Sequence, residues 1–127
     1  MRATLWIIIL LAAAILTVGL VSDHVSDGVV KEYSQQAIQI KESIKKDDWE
    51  GAGRITEDME KKWEDTCGWL QLWVDHQDTD NVRLALKKIL AAIQVQSLDS
   101  YYQADADLME SLSHVQHRDA LTIGNLL

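Results

Sequence analysis

The chain reads as all-α: a single N-terminal transmembrane helix followed by a small bundle of about four helices, arranged as two helix hairpins. Three observations predict it. Ala3 to Val21 is an unbroken uncharged run. Proline is absent and only six glycines occur in 127 residues. Beyond the run, apolar residues recur at steps of three and four, and the alternation of a strand is hard to find.

A helix rises about 1.5 Å per residue and the hydrocarbon core is about 30 Å thick, so about 20 apolar residues cross it. Arg2 precedes the run, while Asp23 and Asp27 follow it. Positive charge is retained on the cytoplasmic side, which predicts an internal amino terminus at the plasma membrane and an exterior residues 22–127. Trp6 falls near the inner edge, where interfacial aromatics are common. A cleaved secretory signal has a shorter apolar core, about 7–15 residues, with small residues at the site that follows it. Here Ala12, Ala13 and Ala14 lie in mid-run, Ile15, Leu16 and Val18 continue it, and no cysteine follows to take a lipid. The expectation is an uncleaved signal anchor at 1–21 and an extracytoplasmic bundle at 22–127.

The first exterior helix is predicted from Ser22 to Lys46, with Val25, Val29, Tyr33, Ala37, Ile40 and Ile44 on one stripe. Nothing between Val21 and Val25 forces a break, so the anchor can run straight into it; Gly19 and Gly28 would permit a bend. Lys45-Lys46-Asp47-Asp48 reads as a turn, with lysines suited to a helix end and aspartates to the next cap. The second helix carries Trp49, Ala52, Thr56, Met59, Trp63, Cys67, Leu70 and Val74 on one face. Asp75 to Asn81 is the clearest break, with Asp78 or Asp80 as the cap of a third helix lined by Val82, Ala85, Leu86, Ile89, Ala92 and Ile93. The pattern resets near Ser97. A fourth helix then groups Tyr101, Ala104, Leu108, Leu112 and Val115, with Asp105, Asp107 and Glu110 outward. The apolar tail from Leu121 to Leu127 is expected to fold back onto the bundle. A faint echo pairs Asp48-Trp49 and Ala52 with Ser100-Tyr101 and Ala104, giving two hairpins about 50 residues apart.

Charge narrows the function classes. All twenty acidic residues and all basic ones but Arg2 follow residue 21, which leaves the exterior portion at −9. That sign argues against nucleic acid and against adhesion to anionic lipid head groups. It suits solubility, or the attraction of a cation or a partner's basic segment. Cys67 is the single cysteine, which rules out an internal disulfide and multi-thiolate metal sites.

Chemistry-bearing constellations are few. Asp75-His76-Gln77-Asp78-Thr79-Asp80-Asn81 places oxygen ligands at alternate positions, but a calcium loop needs glycine sixth and glutamate twelfth. Counted from Asp75, those positions hold Asp80 and Leu86. Capping is the simpler role, with His76 near a helix C-terminus. His114 and His117 stand one turn apart and would need a third ligand to hold a metal. Cys67 has no basic residue on its own face to activate it, and no serine has a nucleophile-elbow context. No enzyme, resident metal or cofactor is expected. Four of five tryptophans (Trp49, Trp63, Trp69, Trp73) crowd the second helix, and phenylalanine is absent. Most of this aromatic surface belongs to a central helix packing on its neighbours. Trp69, Leu72 and Trp73 fall outside its stripe or at its edge and are the interaction candidates.

With those motifs in view, the chain resembles the bacterial domain-of-unknown-function family numbered 4363. The residues carrying the likeness are Asp48-Trp49-Glu50-Gly51-Ala52, the tryptophan-rich helix to Trp73, Asp75-His76 with Asp80-Asn81, and Ala85-Leu86 to Ile89. The resemblance implies a small membrane-anchored helical protein of Firmicutes and supplies no activity, substrate or catalytic residue. The tail with Gly124 departs from the charged helical ending the family would suggest. The expected function is a membrane-anchored module for protein–protein interaction or scaffolding, with an unidentified protein partner and room for homo-oligomers through the span. The alternative is a ligand or cation sensor built on Asp75 to Asn81 with His114 or His117.

Overall fold

A computed structural model describes the backbone of residues 1–72 and 74–126 and the side chains of 1–21, 24–72 and 74–116. Four helices account for it: α1 (Arg2–Lys45), α2 (Trp49–Leu70), α3 (His76–Gln94) and α4 (Leu98–Leu126). No strand occurs among the described residues. The chain is an all-α bundle with one long N-terminal apolar helix.

Helix α1 runs unbroken for 44 residues, through Gly19 and Gly28 and through the expected junction at 21 and 22. Its apolar side chains from Leu5 to Val21 lie exposed, outside the bundle. From Ser26 onward the same helix turns one face inward, burying Tyr33, Ala37, Ile40 and Ile44. The anticipated stripes of α2, α3 and α4 are buried as well, around Trp63, Met59, Leu86, Ile89, Tyr101 and Leu108. Each fully buried large side chain of this kind contributes about 1.5–3 kcal/mol.

The helices form a ring. α1 packs on α2 and α4, and α3 packs on α2 and α4, with no close approach across either diagonal among the described residues. Neighbours are antiparallel: Tyr33 meets Thr66, Arg83 meets Glu64, Lys88 meets Asp107, and Asp27 meets Gln116. The α1–α2 and α3–α4 turns therefore share one end. The α2–α3 turn lies at the other, where the apolar half of α1 leaves the bundle.

Two of the turns are built alike. The amide of Asp48 bonds the Ser43 carbonyl and that of Asp47 bonds Ile44; Ser97 and Gln96 repeat this to Ala92 and Ile93. This is the paired-bond C-terminal motif whose pivot residue is left-handed. Asp47 (φ 61°) and Gln96 (φ 52°) occupy the pivot, so neither turn uses glycine there. The next residue caps the following helix: Asp48 accepts from the Gly51 amide at 2.9 Å and Ser97 from the Ser100 amide at 3.3 Å. The turns thus align the hairpins Asp48 on Ser97 and Trp49 on Leu98, not Trp49 on Tyr101 as the sequence echo suggested. On that offset Tyr33, Ala37, Ile40 and Ile44 correspond to Val82, Leu86, Ile89 and Ile93, all buried.

Three expectations are corrected. The cap of α3 is Asp75, accepting from the Gln77 amide at 3.1 Å, while Asp78 is buried in the first turn. His76 accordingly opens α3 at its N-terminus. The tail does not fold back; its backbone continues α4 to Leu126.

Candidate functional site

The tryptophans of α2 separate by environment. Trp63 is fully buried, donates its indole N–H to the Thr79 carbonyl at 3.0 Å, and stands edge-on to Tyr33 with ring centroids 5.1 Å apart. Tyr33 bonds the Thr66 hydroxyl, which itself donates to the Lys62 carbonyl. Trp49 is half-buried and ties its indole to Asp47 across the turn at 3.0 Å. These two hold helices together. Trp69 is 41% exposed on the last turn of α2, and Leu72, in the α2–α3 turn, is 78% exposed. Trp73 lies outside the described residues.

Asp75 to Asn81 is occupied by the fold's own bonds. Asp75 caps α3, the Thr79 hydroxyl donates to the His76 carbonyl, and the Gln71 amide donates to that hydroxyl. Asp80 accepts from Arg83, which also bonds Glu64 at 2.8 Å. Among the described residues no three His, Cys, Asp or Glu side chains are close enough to share a metal ion. His114 reaches Glu110 on its own helix at 4.0 Å, and the side chain of His117 lies outside the described residues.

Two groups differ from their expected surroundings. Asp105 is buried, not outward, and pairs with Lys41 of α1 at 3.1 Å. The sequence places Asp105 beside the apolar stripe of α4, but only the neighbour decides whether that edge is covered. Cys67 also has a cation near it: Arg83, from α3, attracts its thiolate. Burial outweighs that attraction, so the thiol is pushed up and stays protonated. Neither feature assembles a nucleophile with a base.

The described surface carries open grooves. One lies between α3 and α4, about 440 Å³, with Lys88, Ala92, Val95, Gln103 and Asp107 along it. Exposed Val95, Leu98 and Tyr102 flank that end of the molecule. A second groove beside Asn81, Leu84, Glu110 and His114 is smaller and polar.

The family model described as domain of unknown function (DUF4363) matches residues 21–126. The chain belongs to that family. No curated protein and no solved structure matches it. The DUF4363 match opens at Val21, the last residue of the uncharged run, and covers the whole ring of helices. Before Val21 it leaves outside the part of α1 that is long and apolar enough to cross a membrane and whose apolar side chains lie exposed.

Proposed function

We propose that this DUF4363 protein is a single-span, membrane-anchored helical module that works outside the cytoplasm by holding another protein near the membrane. The observation that supports it is the double life of α1: one half is apolar and exposed, the other is a wall of the bundle. A helix that is apolar on every side needs a hydrocarbon surrounding. The single cation before the run and the acids after it favour an internal amino terminus. No joint separates the two halves, so whatever the bundle holds is kept at a set height.

The contact surface of this reading is the end remote from the apolar half, where Val95, Leu98 and Tyr102 are exposed beside the α3–α4 groove. The exterior charge of −9 favours a partner with basic side chains around an apolar patch.

Two measurements test it. After alkaline carbonate washing of native membranes the full chain should stay in the pellet; release into the supernatant removes the anchor. Proximity labelling from a fusion at Leu127 should report extracytoplasmic neighbours, and Leu98→Asp with Tyr102→Ala should deplete at least one of them. An unchanged neighbour list for the folded double variant removes the contact surface.

A further inference from the structure

The exposed apolar pair at the other end has a different occupant. Helix α1 sets the scale. Tyr33 bonds Thr66 at 3.1 Å, and the helices are antiparallel, so Trp69 stands level with Val30 and Leu72 with about Asp27. Gln116 bonds Asp27 at 2.8 Å and brings α4 to the same height. Val21 lies six residues before Asp27 on the same helix, about 9 Å away along the axis. Each polar head-group layer is about 5–8 Å thick. Leu72 therefore sits at the outer edge of that layer, within reach of its own side chain.

The helix forbids the bundle from standing off. Ser26 is already buried in the bundle, only five residues past Val21, and α1 has no break between them. A flexible tether would let the α2–α3 turn float in water. This rod holds it down.

We propose that Leu72 forms a seat on the membrane surface, dipping into the interface of the bilayer that α1 crosses, with exposed Trp69 standing over it about 14 Å above Val21. The inference rests on the reading of α1 as a membrane span. The charges at this end select the lipid. Asp27 and Asp75 bring negative charge to the level of the turn beside His24 and His76, and the described lysine of this end, Lys31, stands one helical turn above Asp27, further from the membrane. An interface rich in zwitterionic lipid accepts that face, and an anionic one repels it. The seat fixes the tilt of the bundle and leaves the Val95, Leu98 and Tyr102 end facing away from the membrane. By the Lys41–Asp105 pair, Tyr102 stands about 35 Å above Val21.

The test uses the full chain in phosphatidylcholine vesicles, with the photo-crosslinking amino acid p-benzoylphenylalanine introduced singly at Leu16, Leu72 or Tyr102, and adducts read by mass spectrometry. Folding of each variant is checked by its melting curve. The expected result is lipid adduct at Leu16 and Leu72, within about threefold of each other, and background at Tyr102. Adduct at Leu16 without adduct at Leu72 overturns the seat and leaves the span standing. Absence of adduct at Leu16 overturns the span, and the seat with it. Adduct at Tyr102 as strong as at Leu72 shows a bundle lying on its side and overturns the seat. In native membranes, crosslinking of position 72 to protein instead of lipid also overturns it. Leu72 is so exposed that replacing it removes little packing; Leu72→Asp, in the otherwise native chain, provides the second measurement. In a chain labelled with an environment-sensitive dye at its amino group, wild-type and variant should both stay vesicle-bound, while protease cuts the α2–α3 turn several-fold faster in the variant. Equal cutting rates overturn the seat.

Discussion

Trp63 is fixed by its surroundings: its indole N–H bonds the Thr79 carbonyl, the Tyr33 ring stands perpendicular to it, and no part of it reaches solvent. Trp63→Phe keeps most of the ring and loses that bond, so it should cost about 1–2 kcal/mol in chemical denaturation; an unchanged midpoint would show the bond to be worth nothing. The buried acids of higher pKa make a second prediction. Burial is the main cause that raises Cys67, Tyr33 and Tyr101, the last also facing the negative Asp105. In each the folded state prefers the neutral form. The stability from these groups is complete below their ordinary values, near 9 and 10, and drains away as pH climbs through the raised ones. The melting temperature should fall progressively above about pH 9, and Tyr101→Phe should flatten the fall. A melting temperature independent of pH up to 11 refutes this.

Helix ends decide the next layer. The pivots Asp47 and Gln96 adopt a left-handed backbone that glycine adopts without strain. Asp47 is compensated by its bond from Trp49, but no such bond favours Gln96. Gln96→Gly should therefore stabilise the fold by about 0.5–1 kcal/mol, read from the urea midpoint. Gly51→Ala should do the opposite, although alanine is the better helix former. A methyl group there would collide with the Asp48 carboxylate that caps α2, and loss of a cap costs about 1 kcal/mol. A more stable Gly51→Ala variant would mean that the cap relaxes freely. The repetition of this turn in both hairpins was half legible. Its polar residues and the aromatic or alanine after them show in the sequence, but the alignment was off by three. A 3.6-residue period cannot tell one turn of helix from the next.

The ring as a whole depends on α1, although α1 looks at first like an anchor with a bundle behind it. Tyr33, Ala37, Ile40 and Ile44 are core residues, and Lys41 supplies the partner of buried Asp105. A chain beginning at Ser22 should melt cooperatively in detergent-free buffer, since it keeps all four walls. One beginning at Asp47 exposes the inner faces of α2 and α4 and leaves Asp105 without its cation, which is costly in a buried setting. It should show no cooperative transition. A sharp transition for the shorter chain would mean that three helices suffice.

Much of this was readable in the order of residues alone: an all-α chain, the 19-residue apolar run, four stripes whose members all turned out buried or half-buried, and caps near the right places. Each is a local property, since a stripe needs one helix and a cap needs one turn. What needed neighbours was invisible. Asp105 could be judged only once Lys41 stood beside it, and Cys67 only once Arg83 had arrived from α3. Trp69 and Leu72 could be picked out as surplus apolar surface, yet their height above Val21 follows from which way the helices run and where they bond. Periodicity reports which face of a helix is oily; packing alone says what lies opposite it and at which end of the molecule.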